Sequence, residues 1–144
     1  MDLPITVLHP DAVVPSYATE GDAGSDLVSV AEVTLAKAGG RALIPTGLAI
    51  ALPFGYGGFV LPRSGLAAKF GVTVVNAPGL IDSGYRGEIK VALLNTDPEN
   101  DYTVKVGDRV AQLVVMPVEH LAFQVVDELP ESARGTGGFG STGH

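Results

Sequence analysis

The chain contains no cysteine. That excludes disulfides, thiolate nucleophiles and cysteine-ligated zinc. The three histidines, His9, His120 and His144, are scattered without ligand spacing and receive no role. No apolar run reaches the ~18 residues needed to cross a bilayer, and no secretory signal is read at Met1. The expectation is therefore a soluble, cytoplasmic protein with no membrane partner. No G-x-x-x-x-G-K-[ST] stretch occurs, so a Walker-type nucleotide site is ruled out. Basic residues are scarce: nine lysines and arginines face sixteen acids, for a formal net charge of −7. Such a chain repels a nucleic-acid duplex unless a basic face is segregated, so nucleic acid is not an expected partner. Aromatic residues are only 6% of the chain, and no internal repeat is apparent.

What is plentiful is punctuation. Nineteen glycines and ten prolines in 144 residues cut the sequence into short segments, which favours strands and turns over long helices. Segments that read as strands are Ile5 to Leu8, Val28 to Leu35, Tyr56 to Leu61, Val72 to Val75, Glu88 to Asn95, Tyr102 to Val106, Arg109 to Met116 and Leu121 to Val126. The apolar run Ala42 to Leu52 is broken by Pro45 and Gly47 into two short strands or one bent one. Pro78-Gly79 marks a turn, from which Leu80 to Tyr85 returns as the second arm of a hairpin. The one helix expected is Ser64 to Phe70, stopped by Gly71. The fold class is all-β, a sandwich or distorted jelly roll with one short helix. A chain of this length makes one domain. Residues 1–133 form the β body, and residues 134–144 form a flexible, Gly-rich C-terminal lid of the same domain.

Two stretches carry most of the chemical signal. Asn76 to Glu88 reads N-A-P-G-L-I-D-S-G-Y-R-G-E, with Asp82 as an acid in an apolar, Gly-rich turn and Tyr85 three residues on. Arg134 to Gly143 reads R-G-T-G-G-F-G-S-T-G and puts five glycines, an arginine, a phenylalanine and three hydroxyls into ten residues. That mixture suits a lid over a flat ring and a chain of phosphates; the other reading is a disordered Gly-rich terminus. Five of the nine basic residues (Arg63, Arg86, Lys90, Arg109, Arg134) lie in or beside Gly-rich motifs. In an acidic chain that placement points to a small anionic ligand, the alternative being ordinary surface charge.

Five segments in order resemble the trimeric deoxyuridine triphosphate nucleotidohydrolases (dUTPases). They are A-G-S-D-L (Ala23 to Leu27), P-R-S-G-L-A (Pro62 to Ala67), the Asn76 to Glu88 stretch, G-D-R-V-A-Q-L (Gly107 to Leu113), and the Arg134 to Gly143 tail. Each is weak alone; together, in the family's order and spacing, they are specific. The resemblance implies a homotrimer with active sites shared between chains. The hairpin would come from one chain, Ser64 and Gln112 from a second, and the lid from a third. It also implies Mg²⁺-dependent attack of water on dUTP between the α- and β-phosphates, giving dUMP and pyrophosphate. Such an activity limits uracil incorporation into DNA and supplies dUMP for dTMP synthesis.

The resemblance assigns residues as follows. Asp82 is the general base that orients the attacking water and takes its proton, if modestly desolvated by Leu80 and Ile81; otherwise it is a turn aspartate holding backbone N–H groups. Asp26 holds the magnesium through a bound water, with Asp22 as the alternate. Arg63, Ser64 and Gly65 bind phosphate at the start of the helix, where Ser64 also reads as an N-cap. Asn76, Gly79, Leu80, Ile81 and Asp82 form the hairpin that reads uracil through backbone donors and acceptors, which cytosine would leave unpaired. Tyr85 packs under the deoxyribose and blocks a 2′-hydroxyl. Lys90 either reaches the substrate or is a solvated strand lysine. Gln112 is a phosphate ligand or a strand glutamine bonded to neighbouring backbone, and Arg109 makes a structural ion pair nearby. In the lid, Phe139 stacks on uracil while Arg134, Gly140, Ser141 and Thr142 hold the γ-phosphate. Rival readings are a dCTP deaminase or bifunctional relative, and a regulator that signals while bound to dUTP. The I-D-S-G-Y and F-G-S-T-G motifs favour hydrolysis over the first, and retention of Asp26 and Asp82 argues against a pure binder.

Overall fold

The computed structural model describes residues 1–141 and 143. Among them are eleven short strands and one helix. The strands are β1 (Ile5–Val7), β2 (Ser25–Val28), β3 (Val33–Leu35), β4 (Arg41–Pro45), β5 (Leu48–Ile50), β6 (Tyr56–Leu61), β7 (Val72–Val74), β8 (Gly79–Ile81), β9 (Lys90–Asn95), β10 (Tyr102–Val104) and β11 (Arg109–Pro117). The helix, α1, is Ser64–Phe70. Two sheets dominate: a four-stranded one in the order β2-β11-β6-β8 and a three-stranded one in the order β4-β9-β7. Two-stranded ladders β1-β5 and β10-β3 complete the fold, and every pairing is antiparallel. The all-β class and the single short helix therefore stand as expected, and no helix among the described residues is long and apolar enough to cross a membrane.

The core lies between the two main sheets. Leu27, Val60, Ile81, Val110 and Leu113 from one meet Ile44, Val72, Val74, Val91 and Leu93 from the other, all buried. Each fully buried aliphatic side chain of this kind contributes about 1.5–3 kcal/mol before entropy is counted. The strand β11 is the spine, bonded to β2 on one edge and β6 on the other. Gly58 of β6 is glycine for packing reasons. A Cβ there would come within 3.2 Å of both Ile81 Cβ and Leu52 Cδ1.

The helix begins and ends where the sequence predicts. Gly71 takes the left-handed conformation at φ 64° and its N–H bonds back into the last turn, as a C-terminal cap requires. Three expectations need correction. The run Val28 to Leu35 is not one strand: the Ser29 hydroxyl donates to the Ala31 carbonyl and accepts from the Ala31 N–H, so the chain turns between β2 and β3. The arms Val72–Val74 and Gly79–Ile81 do not pair with each other; β7 bonds β9 and β8 bonds β6, so the arms belong to different sheets. Leu121 to Val126 forms no strand. Leu121, Phe123 and Val125 are almost fully exposed, because no strand edge of this chain takes them in.

Candidate active site

The splaying of β7 and β8 creates a first cavity. Each is an edge strand of its own sheet. The connection between them passes through Asn76 and the cis Ala77–Pro78 peptide. Between them opens a cavity of about 430 Å³, lined by Asn76, Gly79, Leu80, Ile81, Asp82, Tyr85 and Lys90, among others. The hairpin residues expected to read the base and sugar are therefore gathered here, without Phe139 of the tail. An edge strand leaves half its backbone N–H and C=O groups without ladder partners. Those groups are what a flat ring with its own donors and acceptors would need.

Asp82 stands on the rim of this cavity and is exposed. Ile81 is buried, but Leu80 is itself exposed, so the expected desolvation of Asp82 is not provided within one chain. The turn-aspartate alternative fares worse. The turn is closed by other groups: Tyr85 N–H donates to the Asp82 carbonyl at 3.1 Å, and Arg86 Nη1 donates to the carbonyls of Ser83 and Tyr85. Among the described residues no donor is spent on the Asp82 carboxylate, which leaves both its oxygens free for water.

A second cavity of about 320 Å³ gathers Asp26, Arg63, Ser64, Gly65 and Gln112, together with Asp22 and Arg109. Asp26, on β2, is clamped by two guanidiniums: Arg63 Nε donates to Oδ1 at 3.1 Å and Arg109 Nη1 to Oδ2 at 3.3 Å. Arg109 thus makes its ion pair within its own chain. The cap position of α1 belongs to Arg63, with no side-chain cap bond, so Ser64 is the first helical residue and not the N-cap. Its hydroxyl remains available to a ligand. Gly65 faces open space, with no atom within 4 Å of where a Cβ would stand. Gln112 donates from Nε2 to the Pro62 carbonyl at 3.3 Å, which keeps its amide at the cavity wall. Asp22 accepts from the hydroxyl and the N–H of Thr19, and these bonds hold its carboxyl below the usual aspartate range, the hydroxyl contributing most.

The two cavities share no lining residue. Topology explains why. Ile81 pairs with Gly58 near the start of β6, whereas Arg63 follows the end of that strand. Five positions separate Gly58 from Arg63, roughly 17 Å at ~3.3 Å per residue. Asp82, one step further the other way, stands further still from Arg63. The tail residues Arg134, Phe139, Gly140 and Ser141 line neither cavity. They are held by local bonds only, such as Arg134 Nε to the Gly137 carbonyl and Ser141 N–H to the Gly138 carbonyl. Phe139 is wholly exposed. Thr142 lies outside the described residues.

Sequence reasoning did not single out Glu88. It lines the first cavity, and its Oε1 accepts from the Gly47 N–H at 2.9 Å. Its position at the end of the Asn76 to Glu88 motif was the only signal. Lys90 lies in the cavity wall with its ammonium 3.6 Å from Glu88 Oε2, which draws it toward that acid.

Comparison with known proteins agrees with this geometry. The dUTPase family model matches residues 11–143. The deoxyuridine 5'-triphosphate nucleotidohydrolase of Thermobifida fusca is 62% identical over 136 residues, spanning 94% of this chain and 75% of that one. The Leifsonia xyli protein of the same name is 56% identical over 144 residues, covering 100% and 91%. Among solved structures, the Staphylococcus bacteriophage 80alpha dUTPase with dUPNHPP superposes with a TM-score of 0.92 at 28% identity, covering 99% of both chains. A mutant dUTPase from phage phi11 of S. aureus, described with a structural Mg(II) ion, gives 0.82 at 26%, covering 89% and 98%. With its two cavities carrying the expected motifs and the family model spanning nearly its whole length, this chain belongs to the dUTPase family.

Proposed function

We propose that the chain hydrolyses dUTP to dUMP and pyrophosphate, with Asp82 as the general base. The observation that carries this reading is the unspent Asp82 carboxylate on the rim of a cavity walled by two unpaired strand edges. Uracil enters between β7 and β8 and is read by backbone groups near Gly79, Leu80 and Ile81, with Asn76 beside them. The deoxyribose lies on Tyr85. Asp82 orients a water and accepts its proton as the water oxygen bonds to the α-phosphorus; the bond from that phosphorus to the bridging oxygen breaks, and pyrophosphate leaves with the electron pair.

The phosphates require the second cavity. Arg63, Ser64, Gly65 and Gln112 bind them there, and the two guanidiniums on Asp26 supply the positive charge. Because Asp82 and Arg63 of one chain lie at opposite ends of β6, each site combines the Asp82 cavity of one chain with the Arg63 cavity of another. A homotrimer supplies that pairing. The exposed apolar strip Leu121, Phe123, Val125, Val126 and Leu129 supports it, since a free monomer rarely leaves so much apolar surface in one stretch uncovered. Residues 134–144 close over the nucleotide from a third chain, with Phe139 on the base and Arg134, Gly140, Ser141 and Thr142 at the γ-phosphate, excluding water.

Magnesium fits as an ion carried in by the triphosphate and held by Asp26 through water. Among the described residues there is no group of three or more potential ligands. Each Asp26 oxygen already accepts from an arginine but keeps a second lone pair, enough to hold the ion through its bound waters. When bound, the ion neutralises charge on the phosphate oxygens. The cytoplasm is the proposed location, as befits an enzyme of nucleotide metabolism.

Incubation with dUTP, dCTP, dTTP and UTP in the presence of Mg²⁺ tests the reading. Pyrophosphate from dUTP and none from the others, with no ammonia from dCTP, is the expected result. Ammonia release, or equal turnover of dTTP, would sink it.

A further inference from the structure

We infer that Gly87 is a specificity-determining positioning residue: its missing side chain is the seat of the Tyr85 ring, and the Glu88 carbonyl is the latch that holds the ring there. This rests on the reading that Tyr85 carries the deoxyribose. Tyr85 is 45% exposed, so burial alone does not fix its ring. Two contacts do. A Cβ on Gly87 would stand 2.7 Å from Tyr85 Cζ and 3.0 Å from Cε2, and closer still to the phenol oxygen. The ring therefore lies directly on the glycine backbone. Its hydroxyl donates to the Glu88 carbonyl at 2.9 Å. Glu88 is fixed in turn: its carboxylate accepts from the Gly47 N–H at 2.9 Å and faces the Lys90 ammonium. The chain of contacts thus runs from the Gly47 turn through Glu88 to the ring.

Gly87 is not needed for backbone freedom, because its φ lies outside the left-handed region. Alanine there fits the main chain and acts on the ring alone. The ring is free to swing toward solvent, so the fold tolerates the change. What is lost is the ring's closeness to the sugar, and with it the exclusion of a 2′-hydroxyl. Gly84, in the same loop, has no atom within 4 Å of its would-be Cβ and serves as the matched control.

The test compares kcat/KM for dUTP and UTP in Gly87→Ala, Gly84→Ala, Tyr85→Phe and Tyr85→Ala. Gly87→Ala should cut the preference for dUTP by at least about tenfold, the size of effect one misplaced contact produces. Gly84→Ala should leave it unchanged. Tyr85→Phe keeps the ring on the glycine but loses the latch, so its fall should be smaller than that of Gly87→Ala; it also answers the question should Gly87→Ala not fold. An unchanged preference in Gly87→Ala alongside a loss in Tyr85→Ala overturns the role of Gly87 alone. An unchanged preference in Tyr85→Ala overturns the sugar assignment beneath it.

Discussion

Asp82 and Asp26 are both carboxylates at the edge of a ligand cavity, yet their surroundings are opposite. Asp26 is held by two guanidiniums and is only partly accessible, while Asp82 is exposed and spends neither oxygen on its own chain. A base must keep a lone pair free for a proton, and a neighbouring guanidinium would suppress its basicity. An anion site needs fixed positive charge, and a partly buried acid is a good means of aligning two arginines side by side. The difference fits the proposed roles, Asp82 as the reacting group and Asp26 as part of a binding surface.

The largest effect that would break the comparison is at Asp82. Asp82→Asn preserves shape and removes the proton acceptor, so kcat should fall by roughly 10²–10⁴-fold while dUTP binding, followed with a non-cleavable analogue, stays near its original strength. A loss of binding with turnover retained would reverse the two roles. Next is the tail. Deleting residues 134–144 should cripple turnover with the thermal midpoint unchanged, because the described residues of that segment make only local hydrogen bonds. Arg63→Gln should follow. Removing one charged donor should weaken pyrophosphate inhibition by about tenfold or more. Stability should drop by no more than about 1 kcal/mol, the pair being partly solvent-screened.

The smallest effect concerns Asp22, at the mouth of the same cavity. Its carboxyl titrates below the ordinary aspartate value of 3.8 because Thr19 bonds the charged form. A folded value below the unfolded one stabilises the protein above pH 3.8, and the contribution is lost as pH falls through the folded value. Thr19→Val should therefore lower the thermal midpoint slightly at neutral pH and leave it equal to the parent in strong acid. A gap between the two that widens in acid would contradict this sign.

Much of this was legible from residue order. Gly71 marked the end of the helix, since a glycine readily takes the left-handed conformation that closes such a turn, and of the two readings left open for Ala42 to Leu52, two short strands is the one found. Most members of the first cavity were also readable, because the Asn76 to Glu88 motif keeps them within a few positions of one another. What could not be read were the partners. Period-two alternation identifies a strand but not its neighbour, so the arms around Pro78 looked like a hairpin when each in fact bonds a distant strand. The same blindness applies to Leu121 to Val126, whose alternation is real but which pairs with no strand among the described residues. The division of the site into two cavities at opposite ends of β6 follows from strand pairing, and no local pattern encodes it.

Mixed assembly of two variants tests that division of the site most directly. Gly65→Phe fills the phosphate cavity from a position facing open space, so it should silence that site without disturbing the core. Asp82→Asn silences the other. Each variant alone should be nearly inactive. Unfolded together and refolded as mixed rings, they should recover about a quarter of the parent activity, the share of sites drawing an intact half from each kind of chain. A mixture no more active than its separate components would show that both halves act within one chain, and would contradict the account.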